Sequence, residues 1–384
     1  MKKSMLALAV LGSFASVAAA QSSVTLFGVV DLSLLSVKNS GGTQKLMQNN
    51  SYNSNRLGFR GTEDLGGGLK ANFWLEAGMA NDVGNAGNLQ STSISCTSTS
   101  TTTPITLVTT TTTACAQPNT TATQGAASGT KFFGRRSYVS LEGAFGEVRL
   151  GREYTPQFWT TTIFDAFGTN GPGSSLNISA GSAGLGTNAG TFVRADNSIE
   201  YNLPTNLGGL YGQVMVSAGE NTTLTNGYNK HTSFRFGWAA GPVNVAVAAG
   251  STKVAAGQTF KMSNIGGSFN AGFATFKGYY NVSKASVNGR KENLLHLGMN
   301  MPLGQSEVRV GFTRSDGKGT GFDTIDANQF AVGYIYNLSK RTALYTDYSR
   351  VSNKAGANYT IGAGPANALG ASSRGIDFGV RHAF

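Results

Sequence analysis

The chain has 384 residues, a length that in a water-soluble protein predicts two or three domains. Composition argues otherwise: only 13% of residues are charged, 52 are Gly, 40% are hydrophobic, and mean hydropathy is −0.12. This suits a poorly soluble globule, or a protein whose apolar side is wetted by something other than water. With 22 Phe, 13 Tyr and 3 Trp the chain is too aromatic for disorder, and its glycines follow no collagen period.

From the N-terminus, Met1-Lys2-Lys3 is a short positive segment, residues 5–17 are an apolar run, and Ala18-Ala19-Ala20 has the small-residue pattern of a cleavage site. Residues 1–20 therefore read as a secretory signal peptide, with a mature chain of residues 21–384. No later stretch reaches the ~18 apolar residues of a membrane-crossing helix. The formal charge of +11 stays strongly positive after loss of Lys2 and Lys3. Nucleic acid is not an expected partner, because no helix-turn-helix, zinc or RNA-binding signature accompanies that charge.

Beyond the leader, the hydrophobic period is two almost throughout. Val24, Leu26, Val30, Leu32 and Leu34 alternate with Thr25, Phe27, Val29, Asp31 and Ser33. Val308, Val310 and Phe312 alternate with Arg309, Gly311 and Thr313, and Phe330, Val332, Tyr334 and Tyr336 behave alike. Such runs predict strands longer than the roughly 5–6 residues of soluble sheets, and close to the ~9–11 that a tilted membrane strand needs.

Connections alternate in length too. Tight turns fall at 64–68, 143–146, 204–208, 240–242, 270–272, 302–304 and 338–339. Longer segments lie between them at about 38–50, 83–128, 155–192, 221–228, 254–258, 285–289, 316–322 and 353–371. Seven tight turns and eight longer loops predict sixteen strands with both chain ends on the tight-turn side. The expected fold is all-β, a single 16-stranded antiparallel transmembrane β-barrel with short periplasmic turns and long external loops, in the bacterial outer membrane. In the last strand Ile376, Phe378, Val380, His382 and Phe384 share one face, and a terminal aromatic closing such a strand looks like the C-terminal insertion signal of outer-membrane barrels.

Several segments then match a known family in order along the mature chain. They are Ser23–Asp31 (SVTLFGVVD), Asn55–Ala71 (NRLGFRGTEDLGGGLKA), Phe133–Val139 (FGRRSYV), Gly146–Pro156 (GEVRLGREYTP), Asn197–Tyr201 (NSIEY) and the Phe384 terminus. The sequence resembles the Gram-negative general-diffusion porins of betaproteobacteria, the Burkholderia and Neisseria type. The resemblance implies a trimeric, water-filled pore for small hydrophilic solutes and ions, with the third loop, 155–192, folded inward to narrow it. Residues 83–128 depart from the pattern, being longer, Thr-rich and free of charge.

A diffusion pore needs no catalytic group, metal or cofactor; it needs fixed charges around a wet lumen. A cation facing lipid at mid-depth costs about 2–4 kcal/mol, so parity turns strand cations inward. Leu57 and Phe59 face out, so Arg56 and Arg60 face in. Lys70, Arg136 and Arg149 face in by the same rule, whereas Arg135 and Arg152 have lipid parity and belong near strand ends or a bulge. Arg60 and Lys70 flank a tight turn and should sit near the periplasmic rim. By resemblance, arginines on these strands form the positive half of the constriction. Asp165, the only acid of the third loop, is its expected counterpart. The competing expectation is that these arginines pair with Glu63, Glu76, Glu142 and Glu147 as wall salt bridges.

Cys96 and Cys115, in one exported loop, are expected to form a disulfide bracing the Thr-rich segment. His231, His296 and His382 have no metal spacing, and an enzyme is not expected. The leading function is outer-membrane passive diffusion with weak anion preference. The alternatives are a substrate-specific channel of the same fold, or a surface adhesin using the Thr-rich loop.

Overall fold

A computed structural model describes residues 23–86, 97–102, 109–114, 131–187, 189–219, 229–255, 257–362 and 364–384. The long period-two runs form the strands. In chain order these are β1 (Ser23–Asn39), β2 (Gly42–Asn49), β3 (Arg56–Gly66), β4 (Leu69–Ala80), β5 (Asn85–Ala86), β6 (Thr97–Thr102), β7 (Thr109–Ala114), β8 (Arg136–Gly143), β9 (Gly146–Tyr154) and β10 (Arg194–Asn202). There follow β11 (Leu210–Ser217), β12 (His231–Ala240), β13 (Val243–Ala255), β14 (Gln258–Asn270), β15 (Thr275–Ala285), β16 (Lys291–Leu303), β17 (Ser306–Lys318), β18 (Ala327–Asn337), β19 (Thr342–Asn353) and β20 (Ser373–Ala383).

Each barrel strand pairs antiparallel with its neighbours, and β20 returns to β1, so the sheet closes without an edge. The closed wall has the expected sixteen staves. One stave is broken. β2 pairs with the outer half of β1 and β3 with its inner half, and residues 50–55 leave the wall between them. The short β5 adds two residues beside β4, and β6–β7 form a hairpin of their own within the Thr-rich segment. The first long segment was expected as a loop at about 38–50. Instead the strands continue to a turn at Ser40-Gly41, and the irregular stretch follows at 50–55.

Side chains sort by parity. Leu34, Phe59, Val139, Ile199, Phe330 and Phe378 stand out on the outer face, where a membrane covers them. The opposite parity supplies Asp31, Ser33, Glu76, Arg309, Asp347 and Asp377, all nearly fully buried within the barrel. Backbone pairing satisfies the amide groups that lipid cannot. At the seam the last residue finishes the ladder, with Phe384 N donating to Gly28 O at 3.1 Å and Gly28 N to Phe384 O at 3.0 Å. The turn between β3 and β4 runs Gly66-Gly67-Gly68, all at positive φ, which glycine adopts without the Cβ penalty.

The connection from β9 to β10 folds inside. It contains helix α1 (Pro156–Phe164), a 3-10 turn (Ser175–Ile178) and a single helical turn (Gly181–Gly184). Pro156 opens α1 with its φ already fixed and no amide to leave unpaired. Phe158 and Phe164 seat α1 against the inner wall together with Phe260, Met262, Tyr279 and Leu294.

Candidate functional site

The lumen holds a cavity of about 840 Å³ where the inward connection meets the broken stave. Both of these inward elements are fixed by buried carboxylates.

Asp31 of β1 receives the backbone amides of Ser51, Tyr52 and Asn53 at 3.2, 3.1 and 2.6 Å, and the Tyr345 hydroxyl at 2.5 Å. Three successive N–H groups can converge on one carboxylate only if the chain curls around it, so Asp31 dictates the inward excursion. Ser51 Oγ also donates to Asp377. Tyr52 lies beside Tyr345, with ring centroids 5.7 Å apart, and under the Arg309 guanidinium at 4.9 Å.

Asp165, just after α1, does the same for the longer connection. Its carboxylate receives Phe167 N at 2.7 Å, Ser175 N at 3.0 Å and Ser175 Oγ. Ala166 N donates to His296 Nε2 at 3.1 Å, and Asn300 Nδ2 donates to Ala166 O at 3.1 Å. Glu292 takes Ala180 N at 2.6 Å and the Ser179 and Ser315 hydroxyls at 3.0 Å. The two inward elements also meet, with Ser54 Oγ donating to Asn170 Oδ1 at 2.8 Å. Arg309 spans both, stacked on Tyr52 and, at 4.6 Å, on Phe167, while it donates to both Asp347 oxygens at 2.8 Å.

Arginines occupy the facing wall. Arg135 Nε lies 2.5 Å from Glu76 Oε1, and Arg56 lies 3.7 Å from the same oxygen. Arg135 donates to the Tyr154 hydroxyl at 2.6 Å, and Arg194 donates to it from the other side with its guanidinium 4.1 Å from the ring centre. Arg136 pairs with Glu153 at 2.9 Å and lies 4.9 Å from Trp74 and 5.1 Å from Trp159. Arg56 and Arg135 thus share Glu76, Arg136 pairs with Glu153, and Arg194 rests on Tyr154 with no carboxylate of its own among the described residues. The aromatic faces between them accommodate the excess charge through the ring quadrupole without neutralising it. Arg309 and Lys277 line the cavity from elsewhere.

Of the sequence candidates, Arg56 and Arg136 come together in this group. Arg149 lies in the wall next to it, held by Glu147 at 2.8 Å, Glu153 at 3.1 Å and Glu200 at 3.5 Å, so the salt-bridge expectation describes it better. Arg60 and Lys70 are exposed toward the tight-turn end, with Arg60 5.5 Å from Phe27 and 5.3 Å from Trp74, the ring that Arg136 also contacts. Asp165 does not offer its carboxylate to the lumen. It is fully buried and its oxygens serve the loop's own donors. Cys96, Cys115 and the leader lie outside the described residues. Phe384 closes the seam.

Sequence reasoning missed Arg135, Arg194, Lys277, Arg309 and the 50–55 excursion. Arg135 precedes β8, where alternation has not begun, and its amide bonds Glu76 O at 3.0 Å. Arg152, the other cation of lipid parity, sits beside Gly151, whose φ of 141° accompanies the register shift between β9 and β10.

The sequence matches the Gram-negative porin family over residues 7–374. It is 33% identical to outer membrane porin protein 32 of Delftia acidovorans and 27% identical to an outer membrane porin protein of Bordetella pertussis, each alignment covering both chains in full. Among solved structures, a protein described as an anion-selective porin from Comamonas acidovorans superposes with a TM-score of 0.74 at 31% identity, over 95% of this chain and 100% of that one. The trimer form of OmpT from Vibrio cholerae shares the fold alone, with a TM-score of 0.60 at 13% identity, over 94% of this chain and 99% of that one. A closed barrel narrowed from within, and a family match spanning nearly every residue, place the chain in the Gram-negative porin family, the passive diffusion channels of the outer membrane.

Proposed function

We propose that this porin prefers anions and that its selectivity is set where the arginine group faces the two inward elements. The observation that carries the reading is the charge balance there: Arg56, Arg135, Arg136 and Arg194 against Glu76 and Glu153. A small anion passing this wall exchanges part of its hydration shell for guanidinium N–H donors. No single arginine holds it, because the donors are spread over several side chains and the site stays wet, so release remains fast. Away from the group the cavity lining is mixed, holding Lys277, Glu307 and Asp82 together with Arg309, which is paired to Asp347, so the arginine group carries the positive excess. The anion-selective Comamonas protein supports the reading by similarity.

The same reading takes the working unit as a homotrimer in outer-membrane lipid, exported by a leader cleaved after Ala20, with no chemical step of its own. It keeps the expectation of a Cys96–Cys115 bridge, which two free thiols in a mass spectrum would overturn. The function is tested by swelling of liposomes that contain the protein, using neutral, anionic and cationic solutes of matched size. Anions should enter fastest, and rates should rise linearly with concentration. Saturable entry of one solute would favour a substrate-specific channel instead.

A further inference from the structure

The outer surface carries a feature that the pore does not use. Register places Lys261 of β14 directly opposite Lys284 of β15, Lys284 opposite Lys291 of β16, and Lys291 opposite Lys318 of β17. Four lysines therefore form one straight row across four adjacent staves. Directly opposed residues have Cβ atoms about 4.5–5.5 Å apart.

All four share the parity of Ile265, Tyr280, Leu297 and Phe312, so they stand on the membrane face and not in the lumen. All four also lie at the end of the barrel that carries the longer connections, next to the turns after β13, β15 and β17. Lys284 is four residues beyond Tyr280, or roughly 13 Å along the strand, which sets the row at the upper border of the apolar band.

Like charges directly opposed on neighbouring strands repel. The acid on this outer face of β14–β17, among the described residues, is Asp316, 3.0 Å from Lys318. Lys261, Lys284 and Lys291 make no ion pair among the described residues, and Lys261 and Lys284 are exposed. A row of this kind needs counter-charge supplied at the membrane surface.

We propose that the lysine row is a docking site for the phosphorylated headgroup of an outer-leaflet glycolipid. Its acyl chains would lie along the apolar strands below, and its phosphates would bridge successive lysines. The stems of Lys261, Lys284 and Lys291 can lie on the apolar wall while their ammonium groups reach the headgroup layer.

The test titrates purified protein with bisphosphorylated lipid A in detergent and counts bound lipid by native mass spectrometry. The variants are K261Q/K284Q/K291Q, K261R/K284R/K291R and a control, K340Q/R341Q, at the opposite end. Each lysine near an anionic surface contributes about a fivefold factor in binding, so the Gln triple should bind roughly a hundredfold more weakly. The Arg triple and the control should bind like wild type, dephosphorylated lipid A should bind weakly to all of them, and conductance should be unchanged throughout. Equal binding by wild type and the Gln triple overturns the proposal. So does displacement of the lipid by millimolar inorganic phosphate, or loss of the trimer in the Gln triple without any change in lipid binding.

Discussion

Replacing Arg56 and Arg136 together by Gln should abolish most of the anion preference. The geometry makes this a clean perturbation. Without Arg56, Glu76 keeps Arg135 at 2.5 Å and the Trp74 indole at 3.0 Å; without Arg136, Glu153 keeps Arg149 at 3.1 Å. No buried carboxylate is stranded, so the barrel should assemble normally. The group then falls from an excess of two positive charges to balance. A unit charge about 6 Å from a permeating ion contributes roughly 0.7 kcal/mol in a water-like dielectric. An anion loses that attraction and a cation loses that repulsion, so each arginine is worth about tenfold in the anion-to-cation permeability ratio. The effect should be full near 0.01 M salt, where the Debye length is ~30 Å, and weak at 1 M, where it is ~3 Å. Zero-current potentials across planar bilayers under a KCl gradient measure it directly. An unchanged ratio would refute the assignment, as would an equal shift from Arg60→Gln with Lys70→Gln at the exposed tight-turn end.

Further outcomes follow from the latches. Asp165→Asn keeps one acceptor oxygen for several converging donors, and each buried donor left unpaired costs about 1–3 kcal/mol. Amide exchange in 165–176 should accelerate and open-channel noise should rise, whereas an unchanged exchange pattern would contradict the latch. Asp31→Ala releases the amides of Ser51, Tyr52 and Asn53, so single-channel conductance should increase as the 50–55 excursion swings out of the lumen. Deleting Phe384 removes both seam hydrogen bonds to Gly28 and should lower the yield of heat-resistant assembled protein without changing the conductance of channels that do form. Deleting residues 91–124 should leave conductance unaltered, and a changed conductance would give the Thr-rich segment a part in the pore.

How much of this was legible beforehand follows from what a two-residue period can carry. Alternation encodes which face is wet, because each strand is bounded by lipid on one side and water on the other; Val308-Arg309-Val310 declares Arg309 inward without any structure. The same rule carried to every strand would have found Arg309 and Lys277. Alternation fails where the chain leaves the sheet. Arg135 sits one residue before its strand, at the strand end to which its lipid parity consigned it, but parity alone could not bring it into the arginine group. The stretch Asn50–Asn55 reads as a polar loop tip, and only the Asp31 carboxylate across the wall turns it inward. Asp165 illustrates the converse error: a lone acid in an inward loop suggests a charge shown to the pore, but a chain folded tightly on itself needs that carboxylate for its own amides. Cross-strand register, which creates the lysine row, depends on turn geometry and is not visible in any single segment.

The central claim is that fixed positive charge at the narrow point decides which ions pass. Its most direct test is the zero-current potential of the wild-type channel under a tenfold KCl gradient at low salt. A potential of the sign set by chloride, collapsing as salt is raised, is the predicted result. A potential near zero at low salt, or one of the sign set by potassium, would contradict the account.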